Sequence, residues 1–225
     1  MNLIFGGAVH NGLETYHNEG SDVEKAIKKF QQTMFVMKKQ LLPEEESEFF
    51  SHLAEGKKLI TEYDANKDYM QNVMGIVPGG ISEKRFSVIL KDPMTGEELG
   101  LPINGRIDRI SPSNQVIEYK TSKKKYKQDE TDLLDQATIY DWVVEEDIGQ
   151  PTAGLFYVVL IKDRKREPIQ VLKTTRSIED RTRLFREAKN IIKDIEAKRF
   201  PKGCSGYKEK FCDCQRYKDA LDVDV

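Results

Sequence analysis

Asp108, Glu118 and Lys120 lie in the stretch INGRIDRISPSNQVIEYK, residues 103–120, where two apolar runs are joined by the turn-forming SPSN. Glu118 and Lys120 are two apart, so on a strand they point to the same face. The turn at 111–114 brings Asp108, in the first run, alongside them. Two carboxylates held that close repel, and each loses hydration, so a cation must compensate. Lys120 answers one of them. A divalent cation answers more, because Mg2+ takes hard oxygen ligands and binds through one or two carboxylates plus a substrate phosphate. Such a cation polarises a phosphoryl oxygen and acidifies a water, with Lys120 at hand to orient that water or neutralise developing charge. That is a layout for phosphodiester hydrolysis. The same residues also fit a solvent-facing salt bridge between Lys120 and Glu118 or Asp108, which is common on exposed strands.

The flanking pattern supplies elements to hold these groups. EKRFSVIL (83–90), LGLPINGRIDRI (99–110) and QVIEYKT (115–121) read as an antiparallel meander broken by DPMTGEE and SPSN. TDLLDQATIYDWVVEE (131–146) turns to helical spacing, with Leu133, Leu134, Ala137, Tyr140 and Val144 on one side. AGLFYVVLIK (153–162) is continuously apolar, as a doubly buried strand is, and EPIQVLKTT (167–175) is its partner. The long helix 177–200 opens with a capping box, Ser177 and Asp180. Upstream, 6–17 reads as a short helix entered through glycines. A second helix, 21–42, carries a Ser21–Glu24 capping box and the stripe Val23, Ile27, Phe30, Met34, Met37, Leu41. A third begins at Pro43 with acids in its first turn. The order predicts an α/β (α+β) domain, a central mixed sheet flanked by helices. Residues 1–225 form one unit: a helical N-terminal region (1–80), a sheet core (81–200) and a Cys-containing segment (201–225).

In context the stretch resembles the PD-(D/E)xK nuclease superfamily and, within it, the RecB-like and Cas4-like exonuclease branch. Four motifs carry the resemblance, in the branch's order: GGAVHNGLE with His10 and Glu14, GRID ending at Asp108, the strand Ile117-Glu118-Tyr119-Lys120-Thr121, and Gln136 with Tyr140 on the next helix. Each motif is weak alone and the ordered set is specific. The resemblance implies a restriction-endonuclease-like core. It implies that Asp108 and Glu118, with the Tyr119 carbonyl, ligate Mg2+ or Mn2+. It adds His10 as a nitrogen ligand, and Lys120 as the third catalytic group with the two acids. It places Gln136 and Tyr140 beside the active site and the DNA. Glu83 stands where the branch often carries an acid, and is a weaker candidate. His17 and His52 have no such context and read as surface or core residues.

The loop SKKKYK leaves the strand directly after Lys120, near the catalytic face. Lys123, Lys124, Lys125 and Lys127 suit a phosphate backbone, and Tyr126 suits stacking on a base, which gives affinity without sequence preference. Many members of the branch carry an iron–sulfur cluster on one N-terminal and three C-terminal cysteines. Cys204, Cys212 and Cys214 depart from that pattern in a C-x7-C-x-C spacing, and residues 1–9 hold no Cys. Three thiolates hold iron–sulfur or zinc only with a fourth ligand from elsewhere. Free thiols are the expected state, with Phe200, Tyr207, Phe211 and Tyr217 packing the segment.

Composition narrows the setting. A 225-residue chain with 38% hydrophobic and 33% charged residues is globular with a charged surface. It has no run of 18 apolar residues and no signal-peptide pattern, so no membrane association is expected. Three late cysteines suit a reducing compartment, the cytoplasm of a bacterial or phage-infected cell. The net charge of −2 does not advertise a nucleic-acid partner, yet the clusters KKKYK and KDRKR leave room for a local positive groove. No G-x4-G-K-[ST] motif is present, so no helicase activity is expected of this sequence. The expectation is a Mg2+- or Mn2+-dependent DNA exonuclease acting on ends or single strands, with recombination or replication proteins as possible partners. A structure-specific endonuclease and a non-catalytic DNA-binding subunit are the alternatives.

Overall fold

Alternating apolar residues build the sheet, and helices of amphipathic spacing cover it. The computed structural model describes residues 2–40, 46–75, 79–162 and 167–199. The chain divides into two compact units, Met1–Phe185 and Arg186–Val225. The first holds α1 (Asn2–Asn18), α2 (Val23–Met37), α3 (Phe49–Ala65), α4 (Lys67–Met74), β1 (Ile81–Val88), β2 (Ile103–Ile110), β3 (Gln115–Ser122), α5 (Gln128–Asp132), α6 (Asp135–Ile148), β4 (Gly154–Ile161) and β5 (Ile169–Thr174). The helix α7 (Ile178–Glu196) begins in the first unit and ends in the second. In the second unit the described residues are the end of this helix and a turn in which Arg199 Nη2 donates to Asp194 Oδ1 at 2.7 Å.

The five strands lie in the order β1-β2-β3-β4-β5. The first three form the expected antiparallel meander, β3 and β4 run parallel, and β5 returns antiparallel to β4. A parallel pair needs a crossover, and α5 and α6 provide it. One core lies between α1–α4 and the sheet, where Phe5, Val9, Leu13, Phe30 and Ile60 meet Ile117, Tyr119, Val158 and Leu160. The other lies under α6, where Ala137, Tyr140 and Val144 meet Val116, Tyr157 and Val159. Side chains of β4 alternate between the two cores, which is why that strand reads as unbroken apolar sequence.

Several local expectations need correction. α1 begins at Asn2, so Gly6 and Gly7 lie inside the helix rather than at its entrance. The Ser21–Glu24 box does not form. Asp22 caps α2 by accepting the Lys25 amide at 3.0 Å, and Ser21 takes a left-handed turn with φ 64°. α3 starts at Phe49 with no acid in its first turn, and the expected Pro43 start lies outside the described residues. α4 occupies residues for which no element was expected, and a turn at Leu133–Leu134 separates α5 from α6 within the helix expected over 131–146. Leu133 is 77% exposed, because the turn between α5 and α6 takes it off the stripe. The Ser177–Asp180 box forms in both directions, Ser177 N to Asp180 Oδ2 at 2.9 Å and Asp180 N to Ser177 Oγ at 3.3 Å.

The helical layer depends on close approach at one glycine. A Cβ on Gly56 of α3 would stand 2.0 Å from the ring of Phe30, which is fully buried. Gly56→Ala therefore forces the ring or the helix to move. The expected loss is about 1–3 kcal/mol in urea unfolding, after the ~1 kcal/mol that alanine adds to helix propensity. An unchanged midpoint would show that Phe30 yields freely.

Candidate active site

The site forms where β2 and β3 part. Their ladder pairs Arg109 with Ile117 and Ile110 with Val116 and goes no further. One step on, Asp108 and Glu118 face each other across the widening gap. The freed Tyr119 amide donates to Asp108 Oδ2 at 2.8 Å in place of a strand carbonyl. On the other side, the pairs Ser82–Arg109 and Lys84–Ile107 bracket Glu83 and Asp108 as opposite residues. Three acids thus lie in a row across three strands. Glu83 has φ 55°, a left-handed backbone in mid-strand that a non-glycine residue adopts only under local constraint.

His10, from α1, completes the group. Its Nδ1 lies 3.2 Å from Asp108 Oδ1. The ligand atoms of His10, Glu83 and Asp108 lie within 4.8 Å of one another, a grouping able to hold a metal ion. Glu83 also pairs with the Arg106 guanidinium. Sequence reasoning ranked Glu83 low, since nothing in the sequence signals its backbone conformation.

Glu118, Lys120, Gln136 and Tyr140 are bound into one network. Lys120 Nζ donates to Glu118 Oε1 at 2.7 Å and to Gln136 Oε1 at 2.8 Å. Gln136 Nε2 donates to Glu118 Oε1 and to the Tyr140 hydroxyl, each at 2.8 Å, and Tyr140 donates to the Arg106 carbonyl at 2.8 Å. The solvent-facing salt bridge weighed from the sequence is not what forms, because Glu118 is 4% exposed. Its Oε2 is buried with no hydrogen-bond partner among the described residues.

The charges are held out of balance. Burial, with the negative charge of Asp108 beside it, pushes the Glu118 carboxyl up to about 7 against the pull of Lys120. Burial also works to raise Asp108, but the His10 contact and the Tyr119 amide overcome it and leave that carboxyl below its ordinary value. For His10, burial acts downward, and the bond and charge of Asp108 outweigh it and raise the imidazole. Burial raises Glu83 despite Arg106. Two acids with carboxyls pushed apart, and a lysine bonded to one of them, are groups that can serve hydrolysis.

The remaining candidates fall in different places. Lys123 and Lys124 are exposed on the loop after β3. Lys125 pairs with Glu167 at 2.6 Å and Lys127 with Glu130 at 3.3 Å. Tyr126 is half-buried against the core under α6, and its amide and carbonyl are both bonded to Gln170, so its ring is engaged in packing rather than free for a base. His17 is tied to the hydroxyls of Tyr63 and Tyr119, both at 2.9 Å. Cys204, Cys212 and Cys214 lie outside the described residues.

Comparison with known proteins agrees with this architecture. The chain aligns with a solved structure of a candidate exonuclease from Eubacterium rectale over 98% of its own length and 80% of the other's, at 14% identity and TM-score 0.61. A second solved structure, SSO0001, aligns over 82% of this chain and 73% of its own at 15% identity, with a TM-score of 0.33 that is too low to bear on the fold. No curated protein matches. The family model of the PD-(D/E)XK nuclease superfamily matches residues 2–216. With a mixed five-stranded sheet, acids at the parting of its second and third strands and a family match over nearly its whole length, the chain belongs to the PD-(D/E)XK nuclease superfamily.

Proposed function

We propose that the chain is a divalent-cation-dependent deoxyribonuclease that acts as an exonuclease on DNA ends or single strands, in DNA processing or recombination. The observation that carries this reading is the convergence of His10, Glu83, Asp108 and Glu118 beside Lys120 in a chain of a nuclease superfamily. The residues fit a hard cation: Glu118 Oε2 is a buried acceptor with no partner among the described residues, and the His10, Glu83 and Asp108 ligand atoms converge. His10, Asp108, Glu118 and the Tyr119 carbonyl would hold Mg2+ or Mn2+, with Glu83 as a further oxygen ligand. When bound, the cation supplies charge neutralisation and Lewis acidity at the phosphoryl group.

The chain's own groups do the rest. Glu118 and Gln136 fix the Lys120 ammonium, so its proton and charge stand ready for the attacking water or the developing oxyanion. Tyr140 and Gln136 tie that network to the backbone of β2, so α6 and the sheet keep one geometry. Exonuclease action is supported by the motif order and by a fold shared with a candidate exonuclease. Among the described residues no helix is long and apolar enough to cross a membrane. The reading is tested with linear and closed circular single-stranded DNA in Mg2+, Mn2+ and EDTA. Degradation of the linear form alone, only with metal, is expected; cleavage of circles would make it an endonuclease, and no cleavage of either would remove the enzymatic reading.

The exposed pair Lys123 and Lys124 is expected to carry most of the loop's phosphate contact, since Lys125 and Lys127 already have carboxylate partners. Neutralising Lys123 and Lys124 flattens the slope of log K against log[salt] on single strands by roughly 0.7 per lost contact, equally for all sequences. Adding changes at Lys125 and Lys127 lowers it little more. An unchanged slope in the double variant would turn the loop away from the DNA.

A further inference from the structure

A cavity with a buried arginine in its wall lies on the α1–α4 side of the sheet, apart from the acid row. It has a volume of about 250 Å³, and its walls include Tyr16, His17, Ser21, Tyr63, Lys67 and Arg109. His10 and His17 are seven residues apart on α1, so the two sites stand roughly 10 Å apart along that helix.

Arg109 is the unusual member. It is 4% exposed, and Nη2 donates to the Gly79 carbonyl at 2.8 Å, while Nε is buried with no hydrogen-bond partner among the described residues. No carboxylate among the described residues pairs with it. The nearby Asp64 is engaged by the Tyr16 hydroxyl at 2.6 Å and by Lys67 at 3.1 Å. The walls bring no negative charge either. Burial holds the Tyr16 and Tyr63 phenols above their ordinary value, so both are neutral, and the His17 imidazole carries no negative charge in either protonation state. A guanidinium kept from water without an anion is unfavourable. The missing element is therefore an acceptor with full negative charge, brought from solution.

We propose that this cavity binds a small oxyanion of the phosphate class, with the Arg109 guanidinium as anchor and, at its rim, the Ser21 hydroxyl and the exposed Lys67, which would turn to it from Asp64. A planar fork with a free N–H suits an oxyanion in a way that a single ammonium does not. At ~30 Å³ per water the space is enough for a hydrated tetrahedral ion. Inorganic phosphate and the phosphate of a mononucleotide share this chemistry.

The test uses the full chain in EDTA at constant ionic strength, titrated with inorganic phosphate, with 5′-dTMP and with chloride. Heat of binding and the 15N resonances of the His17 imidazole are followed. Saturable one-to-one binding of phosphate that moves the His17 resonances is expected, with chloride inert. It is retained in Lys120→Ala, weakened several-fold in Lys67→Ala and weakened at least ~10-fold in Arg109→Lys, where the fork is lost. Tighter binding of 5′-dTMP than of phosphate assigns the cavity to a mononucleotide, and equal or weaker binding to the free ion. Because Arg109 is buried, its variant is checked by circular dichroism, and exposed Lys67 carries the test where that variant unfolds. Absence of saturable binding, binding indifferent to Lys67, or binding lost in Lys120→Ala would overturn the proposal.

Discussion

Replacing Lys120 with alanine lowers single-turnover DNA cleavage by at least ~10²-fold while leaving DNA affinity nearly unchanged, the scale of a lost transition-state group. The ammonium makes two short bonds, to Glu118 and Gln136, and its side chain is 26% exposed, so it is both fixed and reachable. Truncation leaves Gln136 Nε2 still donating to Glu118 Oε1. The network loses a charge and keeps its frame, so circular dichroism and thermal unfolding should change little. The effect thus falls on kcat rather than on fold or binding. Cleavage within a few-fold of the unaltered protein would remove Lys120 from the mechanism.

Asp108→Asn and Glu118→Gln are each expected to abolish metal-dependent cleavage and to weaken Mn2+ binding in calorimetric titration, and His10→Ala to weaken both more mildly. Mn2+ binding unchanged in both acid variants would place the metal elsewhere. Their effects on stability differ. Asp108 accepts the Tyr119 amide and faces His10, so changing it costs stability. Glu118 is buried beside a like charge, and its carboxyl titrates near 7 in the fold against 4.5 when unfolded. The folded chain therefore holds its proton more tightly. That contribution is fully present below pH 4.5 and is lost as pH rises to about 7, a change on the order of 3 kcal/mol in metal-free protein. His17 acts in the opposite sense, since burial lowers its pKa to about 3, and its contribution fades as pH falls below 6.5. The readout is therefore the difference between Glu118→Gln and the unaltered protein across pH 4.5 to 7. Equal pH slopes in the two would show that Glu118 is not held protonated by burial.

Much of the acid row was legible in the sequence because strands announce themselves. The alternation in INGRIDRI and QVIEYKT, with SPSN between them, fixes which residues share a level, and Asp108, Glu118 and Lys120 follow from it. Gln136 and Tyr140, four apart on a helix, were placed on one face by the helical period. What escaped depends on backbone states that no period encodes. Glu83, a weaker candidate from the sequence, faces the site through a left-handed φ that the sequence did not signal, and the Ser21–Glu24 box fails because Ser21 takes the same region while Asp22 caps the helix. Leu133 fits the helical stripe by spacing, yet a turn two residues before α6 takes it out. The parallel pairing of β3 with β4 follows from a crossover whose longer helix was visible. The unpaired charge of Arg109 was invisible, because its surroundings are assembled from α1, α4 and the sheet.

The bond between His10 and Asp108 joins residues 98 positions apart, and that between His17 and Tyr119 joins residues 102 apart. On a ribosome adding ~5–20 residues per second, α1 leaves the exit tunnel and then waits roughly 5–20 s for the strands it must meet. Through that interval the first helix is complete but has no acid row to dock on, and the acids, once made, lack the imidazole until α1 folds back. Closing a loop of this length is among the slower steps of folding, since its entropy must be met before its contacts form. A nascent chain thus lacks the His10–Asp108 contact until residue 108 has been made and α1 has folded back onto it.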